Sequence, residues 1–400
     1  MTTPAALARR LDYQGPVLFS YGFRPFFLGG AIWAALGILL WLPLFFGLIV
    51  LPTAMAPLDW HVHEMIFGYG AAVVAGFLLT AIPNWTGRLP VCGPPLVALA
   101  ALWLSGRIAI LLSQTIGAPV AAAVDLLFLV MLALVTVREV VAGSNWRNLR
   151  VLGVLGVLFI GNVVFHAEVL SSGSADYGQR IGIGALIGLI MLVGGRIIPS
   201  FTHNWIVRRN PGRVPAKFSR FDAVSLAVAA VALVGWIAAP RHPISGALLI
   251  LAGALQLLRL VRWAGDRTVA DRLVLILHVG YAFVPLGFVL LGSSALWPST
   301  VPYSAGIHAW AVGAVGTMTL AVMTRATLGH TGQPLVASTA TQAIYLLVVL
   351  AAFARIAGAF TGAAALLSVA AVAWVAAFGA FVVFFGPLLA GQPPVWSGRN

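Results

Sequence analysis

Long apolar runs alternate with short polar turns along the whole chain. Runs of about 20 residues, the length that crosses a bilayer as an α-helix, lie near 26–51, 63–83, 95–114, 118–138, 150–170, 181–200, 222–239, 243–261, 272–292, 304–324, 340–360 and 363–386. The pattern predicts an all-α, polytopic integral membrane protein with about twelve transmembrane helices in one bundle, a single domain over residues 1–400. The longest polar connection, 196–220, is too short to hold a second domain, and no internal repeat stands out.

Composition agrees with that pattern. The 400 residues are 61% hydrophobic and 8% charged, against about 25% charged in soluble domains. No soluble core could hide so much apolar surface. Glycine is abundant, as expected where helices pack closely in lipid. The single cysteine, Cys92, excludes a disulfide framework and any four-thiolate metal site. Residues 1–14 are polar and do not read as a cleavable signal peptide.

Net charge is +13, which would fit nucleic acid if the cations were clustered with aromatics in a soluble segment. They are not. Of the 23 Lys and Arg residues, 19 fall on one alternate set of loops, including Arg9, Arg10, Arg147, the Arg208 to Arg220 loop and Arg399. Only Arg180 and Arg241 fall on the other set. The positive-inside rule therefore places both termini in the cytoplasm, with anionic lipid headgroups as partners of the basic loops and no nucleic-acid partner.

Ionisable groups inside the apolar runs are costly, and each is a candidate for function. Trp60-His61-Val62-His63-Glu64-Met65 puts two imidazoles and a carboxylate at the lip of the second run. His166 and Glu168 close the fifth run, and His308 opens the tenth, all at the same outer level once the topology is fixed. His278, His203 and His330 form an inner group, the last two after the ends of the sixth and tenth runs. His242 sits in an outer loop, in water. Arg107 and Arg355 lie within runs, where each either bonds an interior acceptor or clamps the anionic group of a cofactor or substrate. Asp125, in the fourth run, reads equally as a proton-path carboxylate or as a group bonded to a neighbour. Met318 and Met323 are soft enough for copper, although methionine more commonly packs.

Imidazole with carboxylate suits a transition metal or heme. If the second helix already includes Trp60, His61 and His63 point about 200° apart and serve different centres. If residues 60–62 are extended, both can turn to one centre. Single intramembrane histidines often only bond neighbouring helices. A proton-relay transporter also uses such residues, but no helices show paired unwound segments.

Several strings resemble the NnrS family: Phe23-Arg24-Pro25-Phe26-Phe27-Leu28-Gly29-Gly30, Trp60-His61-Val62-His63-Glu64-Met65-Ile66-Phe67-Gly68, Gly76-Phe77-Leu78-Leu79-Thr80-Ala81-Ile82-Pro83-Asn84-Trp85-Thr86-Gly87, and Leu320-Ala321-Val322-Met323-Thr324-Arg325-Ala326-Thr327-Leu328-Gly329-His330-Thr331-Gly332. The resemblance implies a multi-pass protein of the bacterial cytoplasmic (inner) membrane that holds heme and copper. It also implies a link to nitric oxide, in denitrification or nitrosative stress. His61, His63, His166, His278, His308 and His330 match family motif positions. Heme–copper oxidases and nitric oxide reductases are similar in plan, but their ligand pattern does not transfer, because this chain has its His-x-His in the second helix.

The resulting expectation is an oxidoreductase-like protein that binds nitric oxide at an outer-leaflet metal centre and reduces it to nitrous oxide. Heme, of type b, would be held by His63 and His308, with His278 and Arg107 as further cofactor contacts. Copper would be held by His61 and His166, with His278 and His330 as alternatives. Glu64 and Glu168 would donate protons, and an unidentified donor would supply electrons. The apolar exterior fits a monomer or a homodimer. The alternatives are a nitric oxide sensor or scavenger without turnover, and a heme-free proton-coupled transporter.

Overall fold

A computed structural model describes residues 13–144, 146, 149–209 and 211–391. Arg9, Arg10, Arg147 and Arg399, among the cations expected on the inner side, lie outside the described residues. Among the described residues, twelve helices are long and apolar enough to cross a membrane: α1 Phe23–Phe45, α2 Pro57–Thr86, α3 Pro94–Leu111, α4 Ala118–Ala142, α5 Val151–Ser172, α6 Tyr177–Arg209, α7 Arg220–Ala238, α8 Pro243–Val261, α9 Arg272–Leu296, α10 Tyr303–His330, α11 Thr339–Thr361 and α12 Ala364–Ala390. No strand occurs among the described residues. The chain is an all-α, multi-pass membrane protein.

Helix ends follow local chemistry more than hydropathy. The first apolar run continues past residue 45, yet α1 stops there rather than near 51. Gly47 takes φ 70° and Leu48 N–H turns back to the Pro43 carbonyl, closing the helix. Conversely, α2 starts at Pro57, before the expected 63, because proline suits the first turn. His61 and His63 are therefore both helical. The helices α6 and α10 run on to Arg209 and His330, so His203 and His330 belong to helices rather than following them.

Three spans carry a π-helical segment among the described residues: Glu64–Gly70 in α2, Ile190–Gly194 in α6 and Ala309–Gly316 in α10. These are the second, sixth and tenth spans. A π turn accommodates one residue more than an α turn and is found mostly at functional positions. Nothing in the sequence announces them, and the helices stay continuous through each.

Contacts divide the chain into two compact units. The first comprises residues 13–182, 326–334 and 378–391 as described. Within it α2 is the most deeply buried span, with 78% of its apolar window inside the protein against 39% for α1, α3, α4 and α5. Small residues let its neighbours approach. A Cβ at Gly76 would lie 2.7 Å from the Phe27 ring of α1, so glycine is what lets α1 and α2 meet there. Arg24 is buried and its Nη1 donates to the carbonyls of Leu388 and Leu389 at 3.0 and 2.9 Å, satisfying the last turn of α12. His330 packs against Tyr21 and Phe23, with ring centroids 5.4 Å from each.

The second unit comprises residues 183–325 and 335–377. Here α9 and α10 are the most buried spans, and α8 packs between α7 and α9. Buried Arg259 of α8 donates to Asp222 (3.2 Å), the Tyr281 hydroxyl (3.1 Å) and the Met191 carbonyl within a π segment (3.2 Å). Asp222 also closes a capping box with Ser219 at the start of α7.

Candidate metal centre

The first unit buries a cluster of charged and polar side chains around His63 of α2. His63 and Glu64 are fully buried, and Asp125 of α4, Arg107 of α3, and Asn162 and His166 of α5 are nearly so. In lipid such groups persist only when paired with one another. Here they are.

Arg107 is the hub. Its Nη1 donates to both carboxylate oxygens of Glu64 at 2.7 and 2.8 Å, and its Nη2 donates to Asp125 Oδ1. Its Nε has no hydrogen-bond partner among the described residues. Trp33 Nε1 of α1 donates to Glu64 Oε2 at 2.6 Å. Trp103 Nε1 donates to the Gly68 carbonyl inside the π segment, at 2.9 Å. Gly68 itself must be glycine for this to fit. A Cβ there would lie 2.7 Å from Arg107 Nη1 and 2.9 Å from both Glu64 Oε2 and Trp33 Nε1.

His63 lies between two sets of acceptors. Its Nδ1 is 2.9 Å from Glu64 Oε1, and its Nε2 is 3.1 Å from Asn162 Oδ1 and 3.3 Å from Asp125 Oδ2. The Asn162 amide cannot be turned round to relieve this, because its Nδ2 donates to Asp125 Oδ2 at 2.8 Å. His166 Nε2 stands 3.0 Å from the same Asp125 oxygen. Phe67 and Phe165 wall the His63 ring, at centroid distances of 5.4 and 5.2 Å. One ligand atom each from His63, Asp125 and His166 lies within 4.8 Å of the others.

Oxygen acceptors facing both nitrogens of one imidazole repel its lone pair unless a positive charge lies between them. With both imidazoles neutral, Glu64, Asp125 and Arg107 leave the cluster at net −1. A proton or a monovalent metal ion balances it, and a divalent ion leaves it at +1. Two imidazoles and a carboxylate are a donor set that first-row transition metals accept. A porphyrin does not fit at His63, whose ring is enclosed by Glu64, Asn162, Phe67, Phe165 and His166.

The other expected residues are placed differently. His61 stacks on Trp41 of α1 at a centroid distance of 4.2 Å, on another face of α2 from His63, as two helical residues two apart require. It does not join the cluster. Glu168 lies outside the cluster too: its oxygens accept from the backbone N–H groups of Tyr177 (3.0 Å) and Gly178 (2.8 Å), so it caps α6. Arg107 clamps Glu64 and Asp125.

In the second unit, His308 Nδ1 donates to the Ser304 carbonyl at 2.7 Å. That bond fixes the tautomer and leaves Nε2 as the acceptor nitrogen, the form that binds metal. His278 Nε2 is 2.8 Å from the Thr202 hydroxyl, and its Nδ1 lies so close to Gly265 that a Cβ there would approach to 2.6 Å. His203 is exposed, and His242 caps α8 by accepting from Ile244 N–H at 3.2 Å.

Three groups of this cluster are absent from the expected site. Asp125, readable equally as a proton-path carboxylate or as a group bonded to a neighbour, is bonded to Arg107, Asn162 and His166. Asn162 carried a legible signal: it precedes His166 by four residues and so shares its face of α5. Trp33, an ordinary-looking apolar residue of α1, carried none.

The family model described as NnrS protein matches residues 17–392. No curated protein matches the chain.

Proposed function

From the premise that this chain belongs to the NnrS family, membrane proteins linked to the nitric oxide response, we propose that it binds nitric oxide at a metal centre held by His63, Asp125 and His166. The observation that carries this is the convergence of two imidazoles on one Asp125 oxygen, in a cluster that needs one positive charge. Copper is the ion that the family resemblance favours, and imidazole suits it. Its chemistry, when bound, is to coordinate a small neutral ligand. The second expected cofactor, a type b heme, belongs to His308, whose Nδ1–H is already engaged and whose Nε2 is oriented as an acceptor. His63 is thereby assigned to the ion rather than to the heme.

The protein's own groups set what such a centre can do. Asn162 orients both His63 and Asp125. Arg107 and Trp33 hold Glu64 as an acceptor on both oxygens. Neither Glu64 nor Glu168 is arranged to donate a proton, since every contact of Glu168 described above is also as an acceptor. Reduction of two nitric oxides to nitrous oxide and water consumes two electrons and two protons. The contacts therefore favour binding, in sensing or scavenging, over turnover. The excess of basic residues on one set of loops supports a cytoplasmic placement of both termini in the bacterial inner membrane. The exposed cations Arg208, Arg209, Arg213, Lys217 and Arg220 would then face anionic headgroups.

The test is metal analysis and an absorption spectrum of purified protein, followed by nitric oxide consumption with excess reductant. The expected result is a bound transition-metal ion that His63→Ala and His166→Ala each lose, with stoichiometric rather than continuous nitric oxide uptake. Retention of the full metal content by both variants sinks the assignment. Sustained consumption restores the reductase reading, and protein free of copper and of any Soret band points to proton-coupled transport.

A further inference from the structure

A small cavity lies against His166, on the side of the first unit formed by the loop after α1 and the adjoining ends of α3, α4 and α5. The space open to the centre of a water-sized sphere within it is about 10 Å³. Its inner wall is buried: His166, Met55, Ser113 and Ala121. Its rim is exposed and apolar, with Ala54 and Leu170. It thus runs from the apolar surface of the unit to one imidazole of the cluster.

Water is a poor occupant. A buried water needs two to four polar partners. Ser113 and His166 are the polar side chains of the lining. The Ser113 hydroxyl is committed: it donates to the Ile110 carbonyl (2.8 Å), accepts from Ala54 N–H (2.8 Å) and meets Thr53 Oγ1 at 3.2 Å. His166 Nε2 is turned to Asp125, so Nδ1 is the one lining side-chain nitrogen left for a water, short of the two partners it needs. A charged or strongly hydrated ligand would lose its solvation here with a single imidazole nitrogen to replace it. A small uncharged molecule of low polarity loses little.

We propose that this cavity is the docking position and portal for a small, uncharged, weakly polar molecule, of diatomic-gas size, on its way to His166. The cavity's chemistry stands alone, but the destination rests on the metal-centre reading above. The rim at Leu170 lets such a molecule arrive from the hydrocarbon phase, where it concentrates, rather than through water.

Xenon is the probe, because it fills dry apolar cavities and needs no metal. Protein carrying ¹³C-methyl methionine is prepared without metal, and the Met55 methyl resonance, identified by its loss in Met55→Leu, is followed against xenon pressure. The resonance is expected to shift saturably in the wild-type protein and to stay fixed in Ala121→Leu, whose added carbons fill the space. A Met55 signal that does not move in the wild-type protein overturns the proposal. A second arm uses metal-loaded protein and photolysed nitric oxide. Rebinding should slow by about tenfold or more in Ala121→Leu at unchanged metal content, and an unaltered rate overturns the portal. Because the xenon arm is metal-free, a failure of the metal-centre reading shows only in the metal content of the His63 and His166 variants.

Discussion

Replacing Gly68 with alanine separates two opposing effects cleanly. In a helix interior the change gains about 1 kcal/mol of propensity. Within the π segment of α2, however, the new Cβ would sit 2.7 Å from Arg107 Nη1 and 2.9 Å from both Glu64 Oε2 and Trp33 Nε1. All three atoms are already fixed by hydrogen bonds to one another. Overpacking of this kind costs roughly 1–3 kcal/mol. If Arg107 is pushed off one carboxylate, a buried charge loses its partner, at about 3–5 kcal/mol. Set against that gain, the net loss is about 0–2 kcal/mol from overpacking alone and about 2–4 kcal/mol if Arg107 is displaced. The control is Gly156→Ala in α5, where a Cβ meets nothing within 4 Å. There the propensity gain, about 1 kcal/mol at most, should stand alone. The assay is reversible unfolding in mixed micelles, with metal content measured alongside. If Gly68→Ala matches the wild-type protein in both stability and metal content, the cluster does not pack around Gly68 as described.

Asn162→Leu should weaken metal affinity by about 10- to 100-fold, the usual cost of losing a group that orients ligands; competition with a chelator measures it, and unchanged affinity would show that Asn162 orients nothing. Glu168→Ala should destabilise the start of α6 by about 0.5–2 kcal/mol, the worth of a helix cap, while leaving metal content intact; a loss of metal with no loss of stability would return Glu168 to the site. The Asp266 carboxyl, in the loop between α8 and α9, is held below its ordinary range by the hydrogen bond from Arg213 at 2.5 Å and by that residue's charge. A depressed carboxyl contributes fully above its unfolded pKa near 3.8 and loses that contribution as pH falls through the still lower folded value. Proteolysis of the Arg208 to Arg220 loop should therefore be faster in Asp266→Asn at neutral pH, by up to about fivefold for an exposed pair, and the difference should shrink as pH falls below 3.8. Equal cleavage at neutral pH would mean that the pair holds nothing.

The spans were legible because hydropathy is summed over twenty residues and tolerates local error. Their ends were not, because Pro57, Gly47 and the Glu168 cap act through single hydrogen bonds and dihedral angles. In the cluster, residue types were legible and partners were not. His63, Glu64, Arg107 and His166 each stood out as costly in lipid, but which pairs meet depends on how α2 to α5 are rotated about their axes. That rotation is set partly by the π segment, which leaves no mark on the apolar pattern. His61 shows the value of elementary geometry: being helical and two residues away, it had to leave the face of His63, and it stacks on Trp41 instead. Glu168 shows its limit, since a carboxylate at a helix junction looks the same in sequence whether it handles protons or holds two backbone amides.

The π segment after His63 also bears on how such a centre arises and disappears. It amounts to one surplus residue lodged in an otherwise α-helical span. Deleting a single residue between Glu64 and Gly70 would let α2 relax to regular winding, turning everything upstream by about 100° relative to everything downstream. The lower half of the helix, with Gly76 against Phe27, would keep its neighbours. His63 would swing out of reach of Asp125, and the cluster would be gone without the membrane fold having changed. An insertion of one codon would do the reverse, so an ordinary packing helix and a ligand-bearing one can lie a single genetic step apart.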